Sequence, residues 1–127
     1  MKKILLSLIG ACLVTSAFAY VEPLRKAKCL YVVNNKPQNI QACHINAGGG
    51  AGGIERAFSI NQNEFVLEWF DAGLASEVYR ISKNNGKAMN ATNYYRSRKT
   101  LATIKNPELG DWECIKDNKN ITHFCYK

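Results

Sequence analysis

Large apolar residues fall at alternate positions in the run EFVLEWF (64–70): Phe65, Leu67 and Trp69 share one side, while Glu64, Val66 and Glu68 share the other. A period of two marks a strand with one buried face. The preceding AFSI (57–60) meets this run across Asn61, Gln62 and Asn63, a polar connection of hairpin length. The same device recurs along the chain. CLYVV (29–33) is β-branched and aromatic, NNKP (34–37) supplies turn chemistry, and residues 38–43 return with their own alternation. EVYRIS (77–82) leads into NNGK (84–87), where Asn85 and Gly86 form a dipeptide well suited to a two-residue hairpin turn. Tyr94, Tyr95 and residues 101–104 predict further short strands, and residues 106–110 predict a loop. WECIK (112–116), DNKN (117–120) and ITHFCY (121–126) predict a final hairpin.

No segment carries a long, capped apolar stripe at helical spacing. Residues 71–77 predict one helical turn at most, weakened by Gly73. Short strands joined by turns predict an all-β, mainly antiparallel fold: a small barrel or sandwich with little helix.

The N-terminus bounds this domain. Lys2 and Lys3 precede an almost unbroken apolar run over 4–14, and Ala17 and Ala19 stand at the two positions a signal peptidase reads. A signal peptide over 1–19 and one β-rich domain over 20–127 are expected, with export to the periplasm or the medium. The apolar run is too short to cross a membrane as a helix. Ile9, Gly10, Ala11 and Cys12 offer a lesser alternative, a lipoprotein with Cys12 lipidated.

Of the five cysteines, Cys12 falls in the leader, leaving Cys29, Cys43, Cys114 and Cys125. An even count in a small exported domain reads as two disulfides. Each pair flanks its polar turn almost symmetrically, which favours Cys29–Cys43 and Cys114–Cys125, two hairpins each closed by a staple. A bridge tying the first strand to the last is the alternative.

Charge adds a partner class but no ligand. The formal net charge is +7, of which Lys2 and Lys3 supply two, so the mature domain carries +5. Tyr94, Tyr95, Arg96, Arg98 and Lys99 concentrate basic and aromatic groups that could hold an anionic envelope glycan, lipid or lipopolysaccharide. The competing reading is an edge strand guarded by positive charge.

The most conspicuous motif misleads. Gly48, Gly50 and Gly53 match the spacing of a dinucleotide fingerprint. That motif needs a helix after the glycines, so that pyrophosphate can sit on helix N–H groups. Here an alternating, asparagine-punctuated stretch follows, and no Lys-Ser or Lys-Thr completes a phosphate loop. Gly48, Gly49, Gly50, Gly52 and Gly53 instead predict a loop that lets a partner approach the backbone closely.

Catalytic sets are not legible. His44 and His123 neighbour cysteines, but no C-x2-C or H-x3-H spacing supports zinc, so no metal or cofactor is expected. No serine lies in a nucleophile motif, and Glu64 and Glu68 belong to a solvated strand face. The expectation is a protein that is not an enzyme.

The signal peptide, β-rich hundred-residue domain, two expected disulfides, Trp112 near Cys114 and terminal Cys125 together resemble small periplasmic proteins, including the bacterial inhibitors of c-type lysozyme. The resemblance covers architecture; that family's Ser-Gly-x-x-Tyr recognition segment does not occur here, and no functional residue is carried over. It implies an exported inhibitor or immunity-type neutraliser of a protein partner. The envelope-anion module is the alternative.

Overall fold

A computed structural model of the chain describes residues 20–21, 24–50, 53–71 and 77–127. The expected signal peptide, Cys12, Gly52 and the core of the expected helical turn (72–76) lie outside these residues.

The described residues form eleven strands and no helix: β1 (Tyr20–Val21), β2 (Arg25–Val33), β3 (Lys36–Pro37), β4 (Gln41–Gly50), β5 (Gly53–Ile60), β6 (Asn63–Asp71), β7 (Glu77–Lys83), β8 (Met89–Arg96), β9 (Thr103–Ile104), β10 (Trp112–Asp117) and β11 (His123–Tyr126). Neighbours run β4-β5-β6-β7-β8-β10-β11-β2, and β2 pairs back onto β4, closing an eight-stranded antiparallel barrel. Closure satisfies the strand edges that an open sheet would leave for aggregation. The fold is thus a barrel, and the sandwich option falls away. β1 pairs with Gly48 and Gly49 of β4, while β3 and β9 attach to β2 and β8.

The alternation read from the chain sets the core. Ile45, Phe58, Ile60, Phe65, Leu67, Ile81, Ile115, Phe124 and Tyr126 form one buried cluster, contributed by consecutive staves around the barrel. Phe124 sits between Phe58 and Phe65, with ring centroids at 5.0 and 4.9 Å in tilted or edge geometry. Each such pair adds about 0.5–1.5 kcal/mol beyond area burial. The opposite faces of β2, β10 and β11 are not left to solvent. Leu30, Val32, Trp112, Cys114 and Cys125 form a second buried cluster, covered in part by Tyr94 and Leu101.

Both favoured disulfides are present. Cys114 and Cys125 face each other directly in the β10–β11 ladder. Cys29 and Cys43 are offset by two residues, Cys29 opposing Gln41 and Ala27 opposing Cys43, so that bridge runs diagonally. Disulfides suggest a non-cytoplasmic, exported protein, and no helix among the described residues is long and apolar enough to cross a membrane.

One end of the barrel is built from asparagine turns. Asn34 and Asn35, Asn61, Asn84 and Asn85, and Asn120 all have φ between 50° and 64°. Asparagine tolerates this left-handed region better than most residues. The β7–β8 turn is centred on Asn84 and Asn85, one residue earlier than Asn85 and Gly86 predict. Tertiary bonding decides this: Asn84 donates its amide N–H to Glu64 O at 2.7 Å, and its Oδ1 accepts from Glu64 N at 2.8 Å. Gly86 still suits its place, because a Cβ there would stand 3.0 Å from Lys83 O, a tight contact.

Candidate binding surface at the loop end of the barrel

The other end holds the β4–β5 and β6–β7 connections and the long segment from β8 to β10. Toward this end the lumen turns polar. Along β5 the inward positions run Arg56, Phe58, Ile60, and along β10 they include Glu113 and Ile115, so a guanidinium and a carboxylate continue two apolar rows. Arg56 lies over the Trp69 ring at 5.0 Å and the Tyr126 ring at 5.6 Å. Its Nη1 donates to the Tyr126 hydroxyl at 2.7 Å and stands 3.9 Å from Glu113 Oε1. Burial pushes the Tyr126 phenol well above its ordinary pKa; Glu113 adds to the rise and Arg56 opposes it. A neutral phenol can accept from Arg56 and donate to Glu113.

Asn93 completes the cluster. Its Nδ2 donates to Glu113 Oε2 at 3.2 Å and approaches the Tyr79 hydroxyl at 3.4 Å. Its Oδ1 is buried with no hydrogen-bond partner among the described residues. A native structure rarely leaves such an atom unsatisfied without a functional or solvent role. The Arg56 and Glu113 side chains remain 27% and 33% exposed, so the cluster faces outward as well as inward. At its partly exposed surface it combines a stacked cation with a carboxylate, while the Asn93 Oδ1 stays buried behind them. Such a pair can grip a partner that offers both an anion and an N–H or O–H.

The glycines flank this end but are not the expected loop. Gly48, Gly49 and Gly50 are the last residues of β4, and Gly53 opens β5, with Gly50 opposite Gly53 and Gly48 opposite Glu55. Pairing to β1 and β5 on either side of Gly48 and Gly49, and of Gly50 with Gly53, holds the backbone extended despite glycine's freedom. A strand follows the glycines where a dinucleotide site needs a helix.

The basic-aromatic segment divides among separate tasks. β8 lies between β7 and β10 inside the closed sheet, so the edge-strand reading gives way. Arg96 is 7% exposed; its Nε donates to the Tyr94 hydroxyl at 3.0 Å and its Nη1 to Leu101 O at 2.9 Å. Those bonds hold Leu101 at φ 64°, a backbone that a branched side chain seldom adopts. Arg98 is tied to Asp111 at 3.2 Å and faces Glu108 at 3.7 Å. The Arg98 side chain and amide, with the Glu108 amide, hold the Asp111 carboxyl below its usual range, the backbone bonds contributing most. Lys99 is exposed in the following turn, and Tyr95 lies partly buried opposite Glu113. These side chains do not make one cationic face.

His44 is exposed on β4 and His123 partly buried on β11; their neighbouring thiols are consumed as disulfides. Among the described residues no three metal-ligating side chains gather. Sequence reasoning passed over Arg56, Asn93 and Glu113. Their one signal is parity: each is polar at a position where the alternation demands an apolar side chain. No protein-family model, curated protein or solved structure matches the chain.

Proposed function

We propose that this is an exported, non-enzymatic binding domain that neutralises a protein partner in the periplasm or the medium, and that it receives the partner at the loop end of the barrel. The observation that carries the reading is Arg56, held between Trp69 and Tyr126 with about a quarter of its side chain open to solvent. Arginine, tryptophan and tyrosine dominate the energetics of protein interfaces, and a side chain already ordered by stacking loses little freedom on binding. The partly exposed Glu113 carboxylate supplies an acceptor beside it. The glycine ends of β4 and β5 would let a partner's backbone come close, and the two staples stiffen the barrel behind them.

Affinity capture tests this. The oxidised protein is immobilised and exposed to periplasmic and extracellular fractions at low and moderate salt, beside an Arg56→Gln variant. One protein retained at both salts by the parent, and lost or weakened about 10- to 100-fold by the variant, is the expected result. Equal retention by both chains would remove Arg56 from the interface. Broad retention of envelope polyanions, lost at moderate salt, would replace the protein partner with an electrostatic one.

A further inference from the structure

The asparagine-turn end, opposite the proposed recognition surface, contains a cavity of about 540 Å³. That volume falls in the range of small-molecule sites. Its wall has two chemistries. Lys83 at the end of β7, Lys116 on β10 and His123 line it, and no carboxylate does. Two acids adjoin lining residues in sequence: Glu64, exposed next to Phe65, and Asp117, which is 2% exposed and occupied elsewhere, its oxygens accepting from the backbone N–H groups of Lys119, Ile121 and Thr122 at 3.2, 2.8 and 3.0 Å. The lysine charges are therefore not cancelled within the wall.

The second chemistry is apolar. Val33 and Ile121 line the same cavity, yet they are 52% and 60% exposed, and Phe65 lies deeper. Two branched aliphatic side chains left in solvent beside two lysines make a surface that neither a purely polar nor a purely apolar ligand satisfies. Isolated exposed aliphatics are ordinary, but here they border the concave, cationic site.

We propose that this cavity binds a single amphiphilic anion, its charged head between Lys83 and Lys116 and its apolar body against Val33, Ile121 and Phe65. Carboxylate, sulfate and phosphate heads share the chemistry. The concavity of the site favours a free molecule over the flat surface of a membrane. The site is independent of the protein-binding end and would stand if that reading failed.

The test uses the oxidised, isotopically labelled protein and three probes: octyl sulfate below its micelle concentration, inorganic sulfate and 1-octanol. Octyl sulfate should shift the resonances of Val33, Ile121 and Thr122 saturably, with the other two probes about tenfold weaker or more. The double variant Lys83→Gln, Lys116→Gln, at two solvent-accessible positions, should lose about 10- to 100-fold in affinity while melting as the parent does. Inorganic sulfate binding as tightly as octyl sulfate would overturn the apolar half; octanol doing so would overturn the ionic half. Unchanged affinity in the double variant would overturn the site. Cosedimentation with phosphatidylglycerol vesicles that depends on the two lysines would overturn the free molecule in favour of a membrane surface. If the variant melts early, Val33→Asn gives the independent check: it should weaken octyl sulfate binding and leave inorganic sulfate unchanged, and no effect on octyl sulfate would count against the cavity.

Discussion

Mild acid should destabilise this protein through His123. Arg96 Nε donates to the Tyr94 hydroxyl, which is thereby free to donate its own proton to His123 Nε2, the direction that a neutral ring allows. Burial is the main cause of its lowered pKa, followed by Lys116 and Arg96, with Asp117 opposing; together they hold it at about 4 against an ordinary value of 6.5. Below pH 6.5 the unfolded chain takes up a proton that the native state refuses. The contribution is therefore fully present above pH 6.5 and is lost as pH falls toward 4. From pH 7 to 4.5 that difference corresponds to about 2.5 kcal/mol, reduced to about 1.5 kcal/mol by solvent around a partly exposed ring. For a domain of this size the melting temperature should fall by roughly 6–12 °C from this group. Denaturant melts of the oxidised protein and of His123→Gln, from pH 4.5 to 7.5, isolate the effect, because glutamine can accept from Tyr94 and does not titrate. The parent should lose about 1.5 kcal/mol more than the variant across this range. Parallel pH profiles would refute the reasoning, as would an NMR titration of the His123 ring with its midpoint near 6.

Three further outcomes are expected. Arg96→Met should cost about 2–4 kcal/mol, because Leu101 O and the Tyr94 hydroxyl lose a charged donor, and urea melts read this directly. Asp117→Asn should destabilise by about 2–3 kcal/mol, since an amide cannot accept all three backbone donors of the β10–β11 turn; amide exchange at Ile121 and Thr122 should accelerate with it. Replacing either cysteine pair by alanine should cost about 3 kcal/mol, as the bridged residues are separated by 14 and 11 positions and loop-closure entropy varies slowly with length. Unequal losses would point to packing around the less tolerant pair and would show in parallel melts of the two variants.

Much of the fold was legible because its signals are local. Phe65, Leu67 and Trp69 alternate within one strand, and each cysteine pair flanks one turn, so hairpin chemistry alone brings the correct partners together. The Asn84–Asn85 turn moved by one residue because its bonds reach to Glu64, twenty positions away, and turn propensity carries no information about that contact. The basic segment misled for a related reason. Arg96 and Arg98 look alike in a row of charges, yet one is buried against Tyr94 and Leu101 and the other is paired with Asp111.

The proposed recognition surface shows the same limit from the other side. Arg56, Asn93 and Glu113 come from three strands, and their only local mark is a polar residue on an apolar face. Tyr126 and Arg56 are 70 positions apart and bond at 2.7 Å. The amino-acid sequence by itself determined most of the strands and their buried faces and favoured the two staples over a bridge from the first strand to the last, since period, turn chemistry and cysteine spacing act over a few residues. Tertiary structure alone decided that β2 would pair with both β11 and β4. That closure chose barrel over sandwich, withdrew Arg96 from solvent and placed Arg56 beside Glu113, because long-range register depends on how all eight inward faces pack together.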